Sequence, residues 1–234
     1  MRHLRRTALA TVAIALCAAP IAAADNRHDN GGGAVVAPAR GGGLTGGELL
    51  GQDWAQGLAR PHSPDPYSGR CRPLARNVVI PAGWEISTCT VTHRTRLFIF
   101  FGSFFSQLDP PYATTHAAQL AAAVAADRQA IHAMTVTVDG RATDIRTPRF
   151  ELFSPQRTAQ LSDDNAAELG VPAGTTVTFT AHAWGAVIRK LRPGQHTVTF
   201  HMAADYGGGP FTLTRTINLN VVRGGGSGED GDGE

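Results

Sequence analysis

From Phe211 to Val222 apolar and polar side chains alternate. Phe211, Leu213, Ile217, Leu219 and Val221 hold odd positions, and Thr212, Thr214, Thr216, Asn218 and Asn220 hold even ones. Arg215 alone breaks the apolar side. A period of two sets one face of a strand on a core and the other in water. His196 to Met202 repeats the pattern with Val198, Phe200 and Met202 inward, and Thr176 to Ala181 shows it once more. Shorter strands are predicted at Asn77–Ile80, Ile86–Val91, Arg96–Ser103, Ala133–Val138 and Phe150–Phe153. Asp139-Gly140 is a two-residue hairpin signal.

Leu97 to Phe105 is the most apolar run outside the N-terminal segment. Its length fits a strand buried on both faces, with Gly102 read as a bulge. The alternative, an exposed aromatic platform for sugars or lipids, would invite aggregation. Two stretches carry helical spacing instead. Leu50, Trp54 and Leu58 recur every four residues, predicting a helix over Gly47–Leu58 with Trp54 as a core anchor. Thr114 or Thr115 caps a second helix running through Ala126, with Leu120 and Val124 as its packing stripe. Together these elements predict a mainly β fold. It is an antiparallel two-sheet sandwich, immunoglobulin-like or jelly-roll-like, with one or two short inserted helices.

Composition divides the chain. Residues 1–24 read as a signal peptide: Arg2, Arg5 and Arg6 precede a short apolar run, and Ala22-Ala23-Ala24 offers a cleavage site. The run is too short to span a bilayer stably. Residues 25–47 are rich in glycine and read as a disordered linker, 48–223 as the sandwich, and 224–234 as a disordered acidic tail. Cleavage near Ala24 changes the charge balance. The chain has 21 basic and 19 acidic residues, and the first 24 hold three of the basic ones, so the mature net charge is −1. That balance argues against nucleic-acid binding. The expected location is secreted or otherwise extracytoplasmic, with no membrane span after cleavage.

Cys71 and Cys89 remain after processing. In an oxidising compartment an even pair reads as a disulfide. A bridge over that separation stabilises by about 3 kcal/mol in the chain-entropy picture. Two cysteines without a companion pair do not suggest a zinc site.

Several segments carry a family resemblance. They are Gly47-Glu-Leu with Trp54, Asp65-Pro-Tyr-Ser-Gly-Arg-Cys71, Cys89-Thr-Val leading into Leu97-Phe, and Val138-Asp-Gly140. Ser154-Pro, Leu161-Ser-Asp-Asp-Asn165 and Leu191-Arg-Pro-Gly-Gln-His-Thr-Val198 belong to the same set. Over most of 48–222 the chain resembles a family of uncharacterised exported bacterial proteins with an immunoglobulin-like sandwich. It departs from that pattern after Phe101, where Phe104-Phe105-Ser-Gln replaces a polar, acidic stretch. The resemblance implies export and a sandwich, and no chemistry.

Catalytic motifs are missing. There is no Gly-x-Ser-x-Gly elbow, no His-Glu-x-x-His helix, and no phosphate-cradling glycine loop leading into a helix. His182 and His196 are the one histidine pair that strand pairing could set face to face, and no carboxylate is fixed beside them in sequence. No catalytic residue, metal ligand or cofactor is therefore assigned. The expected function is a non-enzymatic binding or structural module of the envelope or extracellular space, with an unidentified ligand. An extracellular glycan hydrolase is the alternative, with Asp163, Asp164 and Asp205 as its carboxylates. The expected ligand-binding residues are Asp205 and Tyr206, side by side in the glycine-rich loop before Phe211.

Overall fold

The computed structural model describes residues 34–62, 67–82 and 86–223. The expected signal peptide, the linker up to residue 33 and the acidic tail from Gly224 lie outside these residues.

Two sheets form the sandwich, with strands numbered along the chain. The centre of the first is β12 (Thr176–Arg189), more than twice as long as the stretch its alternation marks in the sequence. Its neighbour on one side is β7 (Arg96–Ser106), followed by β5 (Val78–Pro81) and β4 (Cys71–Ala75). Three short strands share its other side: β1 (Ala34–Val36), β10 (Glu151–Phe153) and β11 (Arg157–Gln160). The second sheet runs β6 (Ile86–Thr92), β14 (Phe211–Val222), β13 (Gly194–Ala204), β8 (Ile131–Val138) and β9 (Arg141–Asp144). Most pairs are antiparallel, as expected of a sandwich. β5–β7 and β6–β14 are parallel. The chain leaves β5, crosses to the second sheet for β6 and returns for β7, so β5 and β7 run the same way.

The core between the sheets gathers Ile99, Trp184, Ile188, Met134, Phe200 and Ile217, all buried. β13 follows its alternation, with Val198, Phe200 and Met202 inward. β14 follows it only from Ile217 onward: Leu213 is half-buried and Phe211 exposed. A second core lies on the outer face of the first sheet. There α1 (Gly46–Leu58) seats Leu49 and Leu50 against Phe98, Ala181 and Val187. A third cluster joins Leu58 to α3 (Asp163–Glu168) through Leu161, Ala166 and Phe179. α3 is a third α-helix beyond the two expected. Its signal was a Ser162 cap followed by Asp163 and Asp164 in the first turn.

Residues 34–47, expected in the linker, belong to the fold. β1 pairs with the end of β12, and β2 (Arg40–Gly41) pairs with β3 (Leu44–Thr45) across Gly42-Gly43. Thr45 and Glu48 then form a capping box that starts α1. The glycines misled because they serve close packing here. A Cβ on Gly46 would sit 2.7 Å from Leu152 Cδ2 and 2.9 Å from Ala39 Cβ.

Two further expectations change. Gly102 is not a bulge, since β7 pairs with β12 in unbroken register from Leu97 to Ser106. Glycine stands there because a Cβ would collide with the carbonyl oxygen of His182 and the backbone of Ala183. On α2 (His116–Ala130) the buried residues are Gln119, Ala123, Asp127 and Ala130, while Leu120 and Val124 are half-buried. That stripe docks by hydrogen bonds. Gln119 Nε2 donates to the carbonyls of Ala113 and Thr178, each at 2.9 Å, and its Oε1 accepts from Thr180 at 3.1 Å.

Gly102→Ala is expected to destabilise the fold by more than about 2 kcal/mol, because two paired backbones would have to separate. Gly57→Ala, in α1 with open space around the added methyl, is expected to stabilise by up to about 1 kcal/mol. Urea titration of both variants checks the contrast, and equal effects would contradict the register.

Candidate functional site

The charged residue that breaks the β14 alternation marks the site. Arg215 points into a concavity of about 290 Å³ that Asp53 and Trp54 of α1, Arg72 of β4, and Phe100 and Phe101 of β7 also line. The sheet itself creates the space. β5 pairs with β7 only at Arg96 and Leu97, so beyond Leu97 no described strand covers that edge of β7. The aromatic run is therefore neither fully buried nor a free platform. Phe98 is buried, while Phe100, Phe101, Phe104 and Phe105 are half-buried.

Inside the concavity Arg72 forms an ion pair with Asp53, and its second guanidinium nitrogen donates to Gln56 Oε1 at 2.6 Å. Arg72 is only 7% exposed, so this pair is largely withdrawn from water. Burial pushes the Asp53 carboxyl up, against the opposing pull of Arg72 and, more weakly, of Arg60 and Arg215. Burial likewise lowers Arg215, which the Asp53 charge partly offsets. Trp54 packs on Phe104 at 4.6 Å between ring centroids and on Phe100 at 6.4 Å. Its indole Nε1 is buried without a hydrogen-bond partner among the described residues. The wall thus offers aromatic surface and two guanidinium groups against one carboxylate. Those features suit a small amphipathic ligand.

The disulfide joins Cys71 of β4 to Cys89 of β6, with the Cα atoms 5.3 Å apart. It ties an edge of one sheet to an edge of the other. The cysteine pairing read from the sequence is thereby present.

Asp205 and Tyr206 are both engaged within the chain. Asp205 Oδ1 accepts from the backbone of Gly207 at 2.8 Å and Gly209 at 3.2 Å, and the Asp205 amide donates to Ala130 O. Tyr206 Oη donates to Asp127 Oδ1 at 2.9 Å. Burial, then the adjacent Asp127 charge, pushes the Tyr206 phenol up. The glycine-rich loop is therefore pinned to the end of α2. Of the other carboxylates named from the sequence, Asp164 accepts from the His62 amide at 2.7 Å and Asp163 lies in the first turn of α3. Both belong to the α1–α3 side of the first sheet, while Asp205 belongs to the β13–β14 hairpin of the second.

His182 and His196 do not meet. His196 Nδ1 lies 2.6 Å from Asp139 Oδ2 and its Nε2 2.8 Å from Arg192 O. Burial works to lower its pKa, and these two partners outweigh that and raise it. His182 is fully buried on β12, with Nδ1 2.8 Å from Asp127 Oδ2 and Nε2 3.0 Å from Glu151 Oε1. Burial pushes Glu151 up, but hydrogen bonds from Arg128 and His182 prevail and hold it below the usual carboxylate range. Ser103 is the cross-strand partner of His182, so serine, histidine and aspartate converge. They are not set as a nucleophile and its base. The outer imidazole nitrogen faces Glu151, and Ser103 bonds Asp127 through its backbone amide. The cluster locks α2 and the hairpin onto the sheet.

Sequence reasoning missed Asp53, Arg72 and Arg215 as a group. Arg215 was visible as the one charge on an apolar face. Asp53 and Arg72 carry no periodic signal, because a helix and a distant edge strand supply them.

Arg72→Met leaves Asp53 buried beside one guanidinium fewer, and is expected to cost about 3–5 kcal/mol at pH 7. The folded chain already holds the Asp53 proton more tightly than the unfolded chain does. Its contribution to stability therefore falls as pH rises from about 3.9, the ordinary aspartate value, through the raised folded value. Losing Arg72 raises that value further, so the cost should be smaller at pH 4 than at pH 7. Denaturant titrations at the two pH values check this, and equal losses would contradict it.

No protein-family model matches the chain, and no curated protein or solved structure matches it either.

Proposed function

We propose that the protein is an extracytoplasmic binding module whose ligand enters the concavity between α1 and the uncovered edge of β7. The observation that carries this reading is the convergence of Asp53, Arg72 and Arg215 on an otherwise aromatic and aliphatic hollow. Charged groups are seldom withdrawn from water without a task, and a concave apolar wall with a few polar anchors is the usual form of a small-molecule site. At about 290 Å³ the space suits a compact ligand. The ligand's apolar body would lie on Phe100, Phe101 and Trp54, and its polar group would meet Arg215. The Cys71–Cys89 bridge supports action in an oxidising compartment. The same location is expected of the N-terminal segment read as a signal peptide.

Phenylacetate and octanoate serve as probes, each joining an apolar body to a carboxylate. Isothermal titration of the exported protein is expected to show binding that weakens about tenfold or more in Arg215→Gln, the scale of one charge-assisted contact. Melting of the variant in the absence of probe would be compared with wild type to verify folding. Absence of heat with both probes at millimolar concentration, or unchanged affinity in a folded Arg215→Gln, would overturn the assignment.

A further inference from the structure

A second concavity, also about 290 Å³, is formed where the β2–β3 hairpin meets the ends of β7 and β12. Its lining contains three arginines: Arg40, Arg96 and Arg189. None makes a hydrogen bond or ion pair through its guanidinium with a described residue, and no carboxylate lines the space. The nearest acid in sequence is Glu48, which is committed elsewhere. Its Oε2 accepts from Thr45 N and Thr45 Oγ1, both at 2.8 Å, and the backbone bond above all holds its carboxyl low.

The fold brings these arginines together from distant parts of the sequence. Arg40 stands in β2, Arg96 opens β7 opposite Val78, and Arg189 closes β12 opposite Ala34. The rest of the lining includes the glycine run 41–43. Gly42 and Gly43 take φ values of +62° and +86°, which the two-residue turn requires. Gly43 has open space around its Cα, so a ligand can approach the backbone there, while Gly42 packs against the backbone of Arg76. Three like charges facing one hollow repel one another, and a bound anion reverses that cost. Guanidinium forks match the paired oxygens of phosphate and sulfate groups.

We propose that this concavity is a binding site for a tetrahedral oxyanion, a phosphate or sulfate group, held by Arg40, Arg96 and Arg189 beside the open backbone of Gly43. The site is independent of the α1–β7 hollow, and it stands if that assignment fails.

Isothermal titration at low ionic strength tests it with three probes: inorganic phosphate, inorganic sulfate and phenyl phosphate. Phosphate or sulfate is expected to bind. Arg40→Gln, Arg96→Gln and Arg189→Gln should each weaken binding about tenfold or more, while melting without anion stays near wild type for the two exposed arginines, Arg40 and Arg189. Arg189→Lys keeps the charge but loses the fork, and should fall between wild type and Arg189→Gln. Arg149→Gln, an equal charge change at an exposed arginine just before the buried Phe150, should leave affinity unchanged. Tighter binding of phenyl phosphate than of phosphate would assign the natural group to an ester, and equal or weaker binding would assign it to the free ion. Absence of binding at about 10 mM anion, unchanged affinity in the arginine variants, or an equal loss in Arg149→Gln would overturn the proposal.

Discussion

Strand β12 is the constraint on which the rest depends. From Val177 to Ile188 nearly every residue is buried, so both faces are dry. Its backbone must be satisfied along both edges, because an unpaired buried amide or carbonyl is costly. β7 fills one edge over ten residue pairs, and β1, β10 and β11 divide the other. The two faces need different cover. The second sheet and α2 share one, and α1 takes the other, which makes three layers of what the alternation alone shows as two. Gly102 follows from the same constraint, since β7 and β12 approach too closely at that point for a side chain.

The second consequence is polar. α2 is too rich in alanine to dock by apolar burial alone, and its buried stripe carries Gln119 and Asp127. These reach Thr178, Thr180, His182, the Ser103 amide and Tyr206. A satisfied network of this kind fixes one geometry, because every misplacement strands a buried polar group. Asp127 connects three separate elements, so the residues that looked most exposed to a ligand, Asp205 and Tyr206, are held on the frame of the protein.

Both concavities lie where regular pairing ends. β5 leaves β7 after two residue pairs, and the space beyond it collects Asp53, Arg72 and Arg215. The β2–β3 turn lies against the start of β7 and the end of β12, and the space there collects three arginines. Strand ends suit such sites, because the sheet fixes their backbone while leaving room for long side chains.

The sequence by itself determined most strands, the helix α1, the cap of α2, the Asp139-Gly140 turn and the cysteine pairing, because each rests on local periodicity, turn chemistry or residue count. It also marked Arg215 as an anomaly on an apolar face. Only the tertiary structure decided the rest. Residues 34–47 looked like a linker because glycine is read as freedom, and here neighbouring side chains occupy the space a Cβ would need. The buried stripe of α2 was hidden because hydropathy does not mark glutamine and aspartate as interior. The arginines of the two concavities come from strands far apart in the chain, so no spacing rule joins them. What joins them is strand order, which long-range pairing sets.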